Sequence, residues 1–180
     1  FKKEGEALME LVTRRLRLSP LGPALLESTY AYAADPENTR YMVFYPVQSR
    51  EELLTFLQQV DAEWKREQPS FYELAIWRQN QHIGAISLYW DEAKTTGELG
   101  WILHPQYHGH GYATEAAQAV MAFAMETRPL IRFIAHCDSE NIPSTRVMEK
   151  LGMTRIACEK GRKNRSSEEE RWEYTYEYRL

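Results

Sequence analysis

Hydrophobic and polar residues alternate with two different periods along the chain, and the changes of period divide it into strands and helices. Residues 11–18 have the pattern of a strand, and the apolar-rich stretch 21–34 that follows is typical of a helix. Ser49 stands three residues before Glu52, as in a capping box, and apolar side chains then recur at helical spacing. We therefore predict a helix here that Pro69 ends.

The middle of the chain changes to the pattern of a sheet. Three apolar-rich strands at 71–77, 83–90 and 98–103 are separated by short polar turns, which favours an antiparallel meander. An alanine-rich helix at 112–126 comes next. The nearly continuous apolar run 131–137 is typical of a strand buried on both faces.

The last part of the chain predicts one more helix and two more strands. The helix covers 141–151 and ends at Gly152, and the strands cover 153–160 and 171–180. The final strand alternates aromatic with polar residues, so one face should be packed and the other hydrated. A meander combined with crossover helices predicts an α/β fold with a mixed sheet.

Length and composition place this fold in a single domain. The chain has 180 residues, of which 43% are hydrophobic and 27% are charged, as in an ordinary globular protein. We interpret residues 1–8 as an extension introduced by cloning and 9–180 as the domain. Two cysteines, Cys137 and Cys158, and the lack of a signal-peptide pattern lead us to expect a cytoplasmic protein.

The charge balance argues against two classes of partner. Lys and Arg number 22 against 26 Asp and Glu, a net charge of -4, so the summed field does not attract nucleic acid or anionic lipid. No apolar run is long enough to span a bilayer. We expect no nucleic-acid and no membrane partner.

The segment from Gln106 to Ala113 lies between a predicted strand and a predicted helix and carries two glycines. Gly109 and Gly111 would let the backbone approach a ligand at a helix start, where free amides and the helix dipole favour phosphate. A P-loop needs Gly-Lys-Ser/Thr, which is absent, and a Rossmann fingerprint needs glycine or alanine where Thr114 stands. Both of these phosphate motifs are therefore excluded.

A third phosphate motif matches position for position. Gln106, Gly109 and Gly111 fill the Q/R-x-x-G-x-G/A loop that binds the pyrophosphate of acetyl-CoA in the GNAT superfamily of acetyltransferases. With the flanking segments 97–105 and 141–153, the chain resembles this superfamily from Leu11 to its end. It is most similar to the branch that includes ribosomal-protein N-terminal acetyltransferases, whose members often begin with a Thr-x-Arg-Leu-x-Leu strand, here residues 13–18.

The resemblance implies a single-domain GNAT-like α/β fold with flanking helices. Its sheet would be mixed, largely antiparallel and split around acetyl-CoA, between the strand ending at Leu103 and the strand 131–137. The cofactor-binding residues that it implies are Ile102, Leu103, Gln106, Tyr107, His108, Gly109, His110, Gly111, Tyr112, Ala113, Asn141 and Ser144.

The resemblance also implies candidate catalytic residues. Glu98 is the candidate base for the amine, because many family members place a glutamate there and an alkyl ammonium must lose a proton before it attacks. Many relatives carry a tyrosine as acid toward the thiolate where this chain has Met148, so we take Ser144 as the candidate acid. Asn141 would contact the cofactor and also cap the helix that follows.

Two other side-chain chemistries carry less weight. The four histidines His104, His108, His110 and His136 could suggest a metal. The first three fall within seven residues, but that loop lacks a matching spacing of carboxylates or cysteines, so we predict no metal site. Cys137 lies in a buried strand and is interpreted as structural.

We therefore expect an N-acetyltransferase that moves the acetyl group of acetyl-CoA to a primary amine by direct attack in a ternary complex. The acceptor stays open between a protein N-terminus and a small-molecule amine, with walls from 21–64 and from the loops near Trp90 and 162–170. The alternative is a non-catalytic acyl-CoA-binding sensor or interaction module, which Met148 favours. A third reading is an unrelated α/β domain that binds a phosphate ligand. The oligomeric state is also left open.

Overall fold

The computed structural model describes residues 9–180, which form one eight-stranded sheet and four α-helices. The cloning extension that we interpret at 1–8 lies outside the described residues. The strands are β1 (Leu11–Val12), β2 (Arg17–Pro20), β3 (Phe71–Arg78), β4 (Gln81–Trp90), β5 (Thr96–Leu103), β6 (Arg132–Asp138), β7 (Thr154–Lys163) and β8 (Glu170–Arg179). The helices are α1 (Leu26–Ala33), α2 (Arg50–Trp64), α3 (Tyr112–Thr127) and α4 (Ile142–Lys150).

The sheet is mixed and mostly antiparallel, as predicted. Its strand order is β1-β2-β3-β4-β5-β6-β8-β7, and the β5–β6 pair is the parallel one in this order. The predicted meander is confirmed as β3, β4 and β5, which pair antiparallel in sequence. The described chain is therefore an α/β fold with one sheet and with helices on both faces of that sheet.

The first predicted strand is wrong, because residues 11–18 form two strands of a hairpin. The chain turns back between β1 and β2, where the Thr13 N–H donates to the Leu16 carbonyl at 2.9 Å. The Glu115 carboxylate of α3 accepts from the Arg15 N–H at 2.9 Å and from the Thr13 hydroxyl. Hydrogen bonds to a residue distant in sequence thus hold the turn, and hydrophobic periodicity does not reveal such contacts.

The first helical region is also shorter than predicted. A short 3-10 helix at Pro23–Leu25 precedes α1, and α1 begins only at Leu26. The predicted cap of α2 is confirmed, because Ser49 Oγ accepts from the Glu52 N–H at 3.1 Å. Local capping chemistry therefore predicted α2 better than apolar content predicted α1.

Two hydrophobic clusters cover the two faces of the sheet. The larger contains the buried side of α3 together with strand residues such as Leu74, Leu88 and Leu99. The smaller contains residues of α1 and α2 packed on Ala75, Ala85 and neighbouring positions. Because successive strand residues point to opposite faces, α3 and the α1–α2 pair lie on opposite sides of the sheet.

The sheet opens between β5 and β6. Their pairing covers Thr96 to Glu98 on β5 and Arg132 to Ile134 on β6, and beyond these residues the two strands separate. The gap predicted between the strand ending at Leu103 and the strand 131–137 is therefore present. Among residues 9–180, no helix has the length and apolar character that crossing a bilayer requires.

Candidate active site

The N-terminus of α3 presents free backbone amides beside a glycine turn. Gly109 has φ +80° and Gly111, the N-cap of α3, has φ +79°. Residues with a Cβ rarely adopt these backbone conformations. The first backbone N–H with a helical partner is that of Glu115, which bonds to the Gly111 carbonyl at 3.1 Å. The amides at 112–114 therefore point out of the helix end, where the helix dipole favours an anion.

The free edge of β5 presents backbone groups at alternate residues. His104 donates its N–H to the Ile83 carbonyl at 2.7 Å, and the Thr96 carbonyl accepts from the Asp91 N–H at 3.1 Å. Both bonds run toward β4, and in an antiparallel pair the direction alternates along the strand. The backbone groups of Trp101 and Leu103 therefore face the gap, whereas those of Ile102 face β4.

One of these edge groups already has partners from within the chain. The Leu103 carbonyl accepts from Asn38 Nδ2 and from His108 Nε2, each at 3.0 Å. Asn38 thereby fixes the loop after α1 against the end of β5. The N–H of Leu103 and both backbone groups of Trp101 are then the groups that an extended ligand could pair with.

The turn between β6 and α4 holds the third wall of the gap. Asp138 is fully buried, its carboxylate binds the Arg171 side chain at 3.0 Å, and its carbonyl accepts from the Asn141 N–H at 2.9 Å. Although burial opposes it, the hydrogen bond from Arg171 keeps the pKa of Asp138 below its usual range. Asn141 is the N-cap of α4, as expected, and accepts from the Ser144 N–H at 3.4 Å.

A groove of about 780 Å³ runs along these three features, from the loop after α1 past β5 and α3 to α4. The sequence-predicted residues that line it are Ile102, Leu103, His108, Gly109, Gly111, Tyr112, Ala113, Asn141 and Ser144. Gln106, Tyr107 and His110 lie in the same turn but outside this lining; the Tyr107 ring packs against the larger hydrophobic cluster and the His110 ring stacks on Tyr112.

The groove also contains cations that the sequence reading missed. Arg146 and Lys150 of α4 and Arg40 of the loop after α1 line it. Residues four apart on a helix share one face, so the spacing of Arg146 and Lys150 after a capping asparagine was a signal for a phosphate-facing surface. Arg40 is paired with Glu37 of the same lining at 3.0 Å, so the groove combines backbone amides with the cations of Arg146 and Lys150.

A second cavity of about 740 Å³ lies on the α2 side of the sheet and meets the groove at the gap. Six residues line both spaces, namely Tyr41, Met42, Trp101, Ile102, Asn141 and Ser144. Tyr41 and Met42 belong to the region 21–64 that was expected to form an acceptor wall. A molecule in the groove and a second molecule in the cavity would therefore meet beside the free edge of β5.

Glu98 lies in the cavity and pairs with a histidine of β6. Its Oε1 is 2.9 Å from His136 Nε2, and the other ring nitrogen of His136 lies 2.8 Å from the Thr175 hydroxyl and 3.4 Å from Glu173. The hydrogen bond to Glu98 raises the pKa of His136, although burial opposes it. Glu98 is about half exposed, so it can both hold this histidine and contact a bound molecule.

Glu73 of β3 is a buried carboxyl in the cavity that the sequence reading missed. Glu73 is 7% exposed, and its Oε1 accepts a hydrogen bond from the Tyr89 hydroxyl at 3.0 Å. Burial raises the pKa of Glu73 to about 7, while the Tyr89 hydrogen bond acts in the opposite direction. The signal in the sequence was a single acid within an otherwise apolar strand.

Two arginines tie the loop after α1 across the cavity. Arg162 donates to the Tyr41 carbonyl at 2.8 Å and to Glu173 at 2.8 Å. Arg165 pairs with Glu52 and donates to the Phe44 carbonyl at 3.1 Å. The charges of both arginines are therefore already balanced by carboxylates of the cavity.

The remaining candidates separate into lining and core residues. Ser144 lines both the groove and the cavity, whereas Met148 is fully buried in the larger hydrophobic cluster. Burial raises the pKa of the Cys137 thiol to about 11, which leaves it protonated and unreactive at neutral pH. Among residues 9–180, no three His, Cys, Asp or Glu side chains form a cluster suited to a metal.

Comparisons with known proteins bear on the family and the fold of the chain. Residues 15–154 match the family described as an acetyltransferase (GNAT) domain. The uncharacterized N-acetyltransferase YnaD of Bacillus subtilis is 32% identical over 147 residues, which cover 82% of this chain and 84% of that protein. The crystal structure of a GNAT-family acetyltransferase from Bacillus anthracis is 30% identical with a TM-score of 0.79, covering 95% of this chain and 98% of that one.

A third similar structure is that of RimL, a ribosomal L7/L12 alpha-N-protein acetyltransferase, in complex with coenzyme A. It has a TM-score of 0.81 and 18% identity, and the match covers 93% of this chain and 97% of that one. At this identity the likeness concerns the fold.

Proposed function

The chain belongs to the GNAT acetyltransferase family, and we propose that it transfers the acetyl group of acetyl-CoA to a primary amine by direct attack in a ternary complex. The observation that carries the proposal is the meeting of two spaces at the gap in the sheet. The groove offers amides and cations for a phosphorylated donor, and the cavity offers carboxylates for an amine. Their shared wall would bring the two substrates together without a covalent enzyme intermediate.

The residues of the groove fit acetyl-CoA. When bound, acetyl-CoA supplies an activated thioester carbonyl. The amides at 112–114 would bind its pyrophosphate, and Arg146 and Lys150 would lie close to its phosphates. The free backbone groups of Trp101 and Leu103 would pair with the pantetheine amides. A backbone N–H at the same edge of β5 is the proposed donor to the oxyanion.

Glu98 is the proposed base for the acceptor amine. The nitrogen must lose a proton before or as its bond to the carbonyl carbon forms, and Glu98 would accept it directly or through water. His136, held at 2.9 Å by Glu98, fixes the orientation of this carboxylate. We propose that the thiolate released as the C–S bond breaks is protonated through the hydroxyl of Ser144, which lines both spaces and takes up a proton from water as it gives its own.

An acceptor screen tests the proposal. Purified protein is mixed with acetyl-CoA and a panel of amines that includes peptides with free N-termini, amino sugars and aliphatic amines, and release of the CoA thiol is followed. We expect release that depends on at least one class of amine, together with binding of CoA by calorimetry. Failure to bind CoA would contradict the assignment of the groove.

The alternative function is a non-catalytic acyl-CoA-binding module. It is favoured by Met148, which is buried in the core and supplies no proton donor. Tight CoA binding without thiol release for any amine would support this alternative. Loss of thiol release in Ser144→Ala, with CoA binding retained, would count against it.

A further inference from the structure

Charge is not balanced within the cavity that we assign to the acceptor. The carboxylates that line it are those of Glu52, Glu73, Glu98 and Glu173. Glu52 pairs with Arg165, Glu98 with His136, and Glu173 with Arg162. Glu73 forms no ion pair with any of residues 9–180, and its carboxylate accepts a hydrogen bond from the neutral hydroxyl of Tyr89. One carboxyl group is therefore left over for a bound molecule.

The backbone around Glu73 fixes this carboxyl group in place. Its carbonyl accepts from the Leu21 N–H and from Trp64 Nε1, each at 3.0 Å, so β3 is anchored at this residue. The residue is 7% exposed and lines the cavity. A carboxylate desolvated without a cation is costly, and an ammonium group bound beside it would remove much of that cost.

The walls near Glu73 suit a cation rather than an anion. Burial raises the pKa of the Tyr45 and Tyr89 phenols, and the charge of the nearby Glu73 adds to this shift in both, so the two phenols stay neutral. The faces of such rings attract ammonium groups. Arg162 and Arg165, which could otherwise bind an acidic acceptor, are already paired with carboxylates.

The register of the sheet gives the distance from Glu73 to the reaction. Glu73 is opposite Ser87 on β4, and Ser87 is opposite Gly100 on β5, so the three lie in line across the sheet. Two strand spacings separate Glu73 from β5, or about 10 Å. Glu73 is therefore too far from the gap to act on the reacting nitrogen, but it is at the right distance for a second group of the same acceptor.

On the basis of the proposed acetyl transfer, we propose that the acceptor is an amine with a second ammonium group, which Glu73 binds about two strand spacings from the reacting nitrogen. Diamines and oligoamines with a long aliphatic spacer have this chemistry. Glu73 is thereby a specificity-determining residue, and Glu98 keeps the separate role of base.

Paired substrates of equal length test this assignment. Acetylation of octamethylenediamine and of octylamine is compared at pH 8, where Glu73 is ionised, with acetyl-CoA saturating. We expect the wild-type protein to prefer the diamine in kcat/KM, mainly through KM, by about 10- to 100-fold, the range of a hydrogen bond to a charged group. In Glu73→Gln this preference should fall close to one.

Two further variants control the comparison. Glu73→Asp keeps the charge and should keep part of the preference for the diamine. Glu126→Gln removes a carboxylate from the exposed last turn of α3, on the opposite side of the sheet from the cavity, and should keep the whole preference. Thermal unfolding and CoA affinity of each variant report whether the fold is intact.

The outcomes separate this inference from the proposed function. Equal use of the two amines by the wild-type protein, or an unchanged preference in Glu73→Gln, would overturn the role of Glu73. If no amine is acetylated, acetyl transfer fails, and calorimetric titration of octamethylenediamine into the CoA-bound protein then decides. Weaker binding by Glu73→Gln would support the diamine site, and equal binding would overturn it.

Discussion

Glu73 should make the stability of the protein fall as the pH rises. Its pKa is about 7 in the folded protein against 4.5 for an ordinary glutamate, because burial disfavours the charged form. Between these values the folded state keeps a proton that the unfolded state loses, so the free energy of unfolding decreases with pH. The loss should reach about 3 kcal/mol, at about 1.4 kcal/mol per pKa unit, and should level off above pH 7.

Urea unfolding of the wild-type protein and Glu73→Gln at pH 5 and pH 8 measures this effect. The variant should gain stability relative to the wild type as the pH rises. The groups that face Glu73 are the phenols of Tyr32, Tyr45 and Tyr89, and the pKa of each is raised, so none ionises in this window. A difference between the two proteins that does not change with pH would contradict the assignment.

The Glu98–His136 pair predicts a second titration. The hydrogen bond that His136 donates to Glu98 is the main reason that the pKa of His136 is raised, so Glu98→Gln should lower it. Titration of the His136 ring followed by NMR measures this shift directly. If Glu98 is the base, the variant should also lose about 100-fold or more in kcat. An unchanged kcat would remove Glu98 from the mechanism.

At this scale, local signals in the sequence predicted some site residues and missed others. Asn141 could be predicted because a helix cap is a local feature, and its side chain does cap α4. Glu73 could not, because an acid inside an apolar strand shows neither that it faces a cavity nor that cations are absent around it. That information lies in contacts between β3, β4 and the loop after α1, which are distant in sequence.

Among the elements, the glycine turn before α3 leads to a testable prediction about the binding of the donor. Gly111→Ala would place a Cβ at φ +79°, which should cost about 1 kcal/mol of stability and turn the amides at 112–114 away from the groove. We expect weaker CoA binding by calorimetry in addition to the lower stability. The backbone amides, and not the side chain, would be responsible.

Gly161→Ala is a matched control for backbone strain. Gly161 also has a positive φ, +112°, its added Cβ would meet nothing nearer than Glu170 Oε1 at 3.9 Å, and it lies outside the groove lining. This variant should lose stability but bind CoA as the wild type does. Equal CoA affinities for Gly111→Ala and the wild type would count against the proposed pyrophosphate site.

Elements were predictable where their signal is local. The helix α2 has both its cap and its apolar spacing in sequence, and the structure confirms it. The hairpin of β1 and β2 was missed because Glu115, about a hundred residues away, holds its turn through Thr13 and Arg15. Periodicity alone could not distinguish this hairpin from one longer strand.

For the whole molecule, the net charge of the chain does not predict the charge of the ligand that each of its two spaces suits. A net charge of -4 does not favour an anionic donor, yet the groove places a helix end, Arg146 and Lys150 where phosphates would lie. The cavity on the α2 side is lined instead by four carboxylates, those of Glu52, Glu73, Glu98 and Glu173, against two arginines. The fold thereby separates a surface for an anion from a surface for a cation, with the gap in the sheet between them.

This gap predicts how a bound donor changes backbone hydrogen exchange. The strands β1 to β5 and β6 to β8 are joined in the sheet by pairing at Thr96–Glu98, so a donor that pairs with the edge of β5 would extend the sheet there. Because backbone direction alternates, the amides of Trp101 and Leu103 should gain protection, along with those at 112–114. The amide of Ile102 already faces β4 and should change only by the overall stabilisation that ligand binding gives. Exchange followed by NMR with and without CoA measures this alternation; equal protection along β5, or none, would mean that the donor does not pair with this edge.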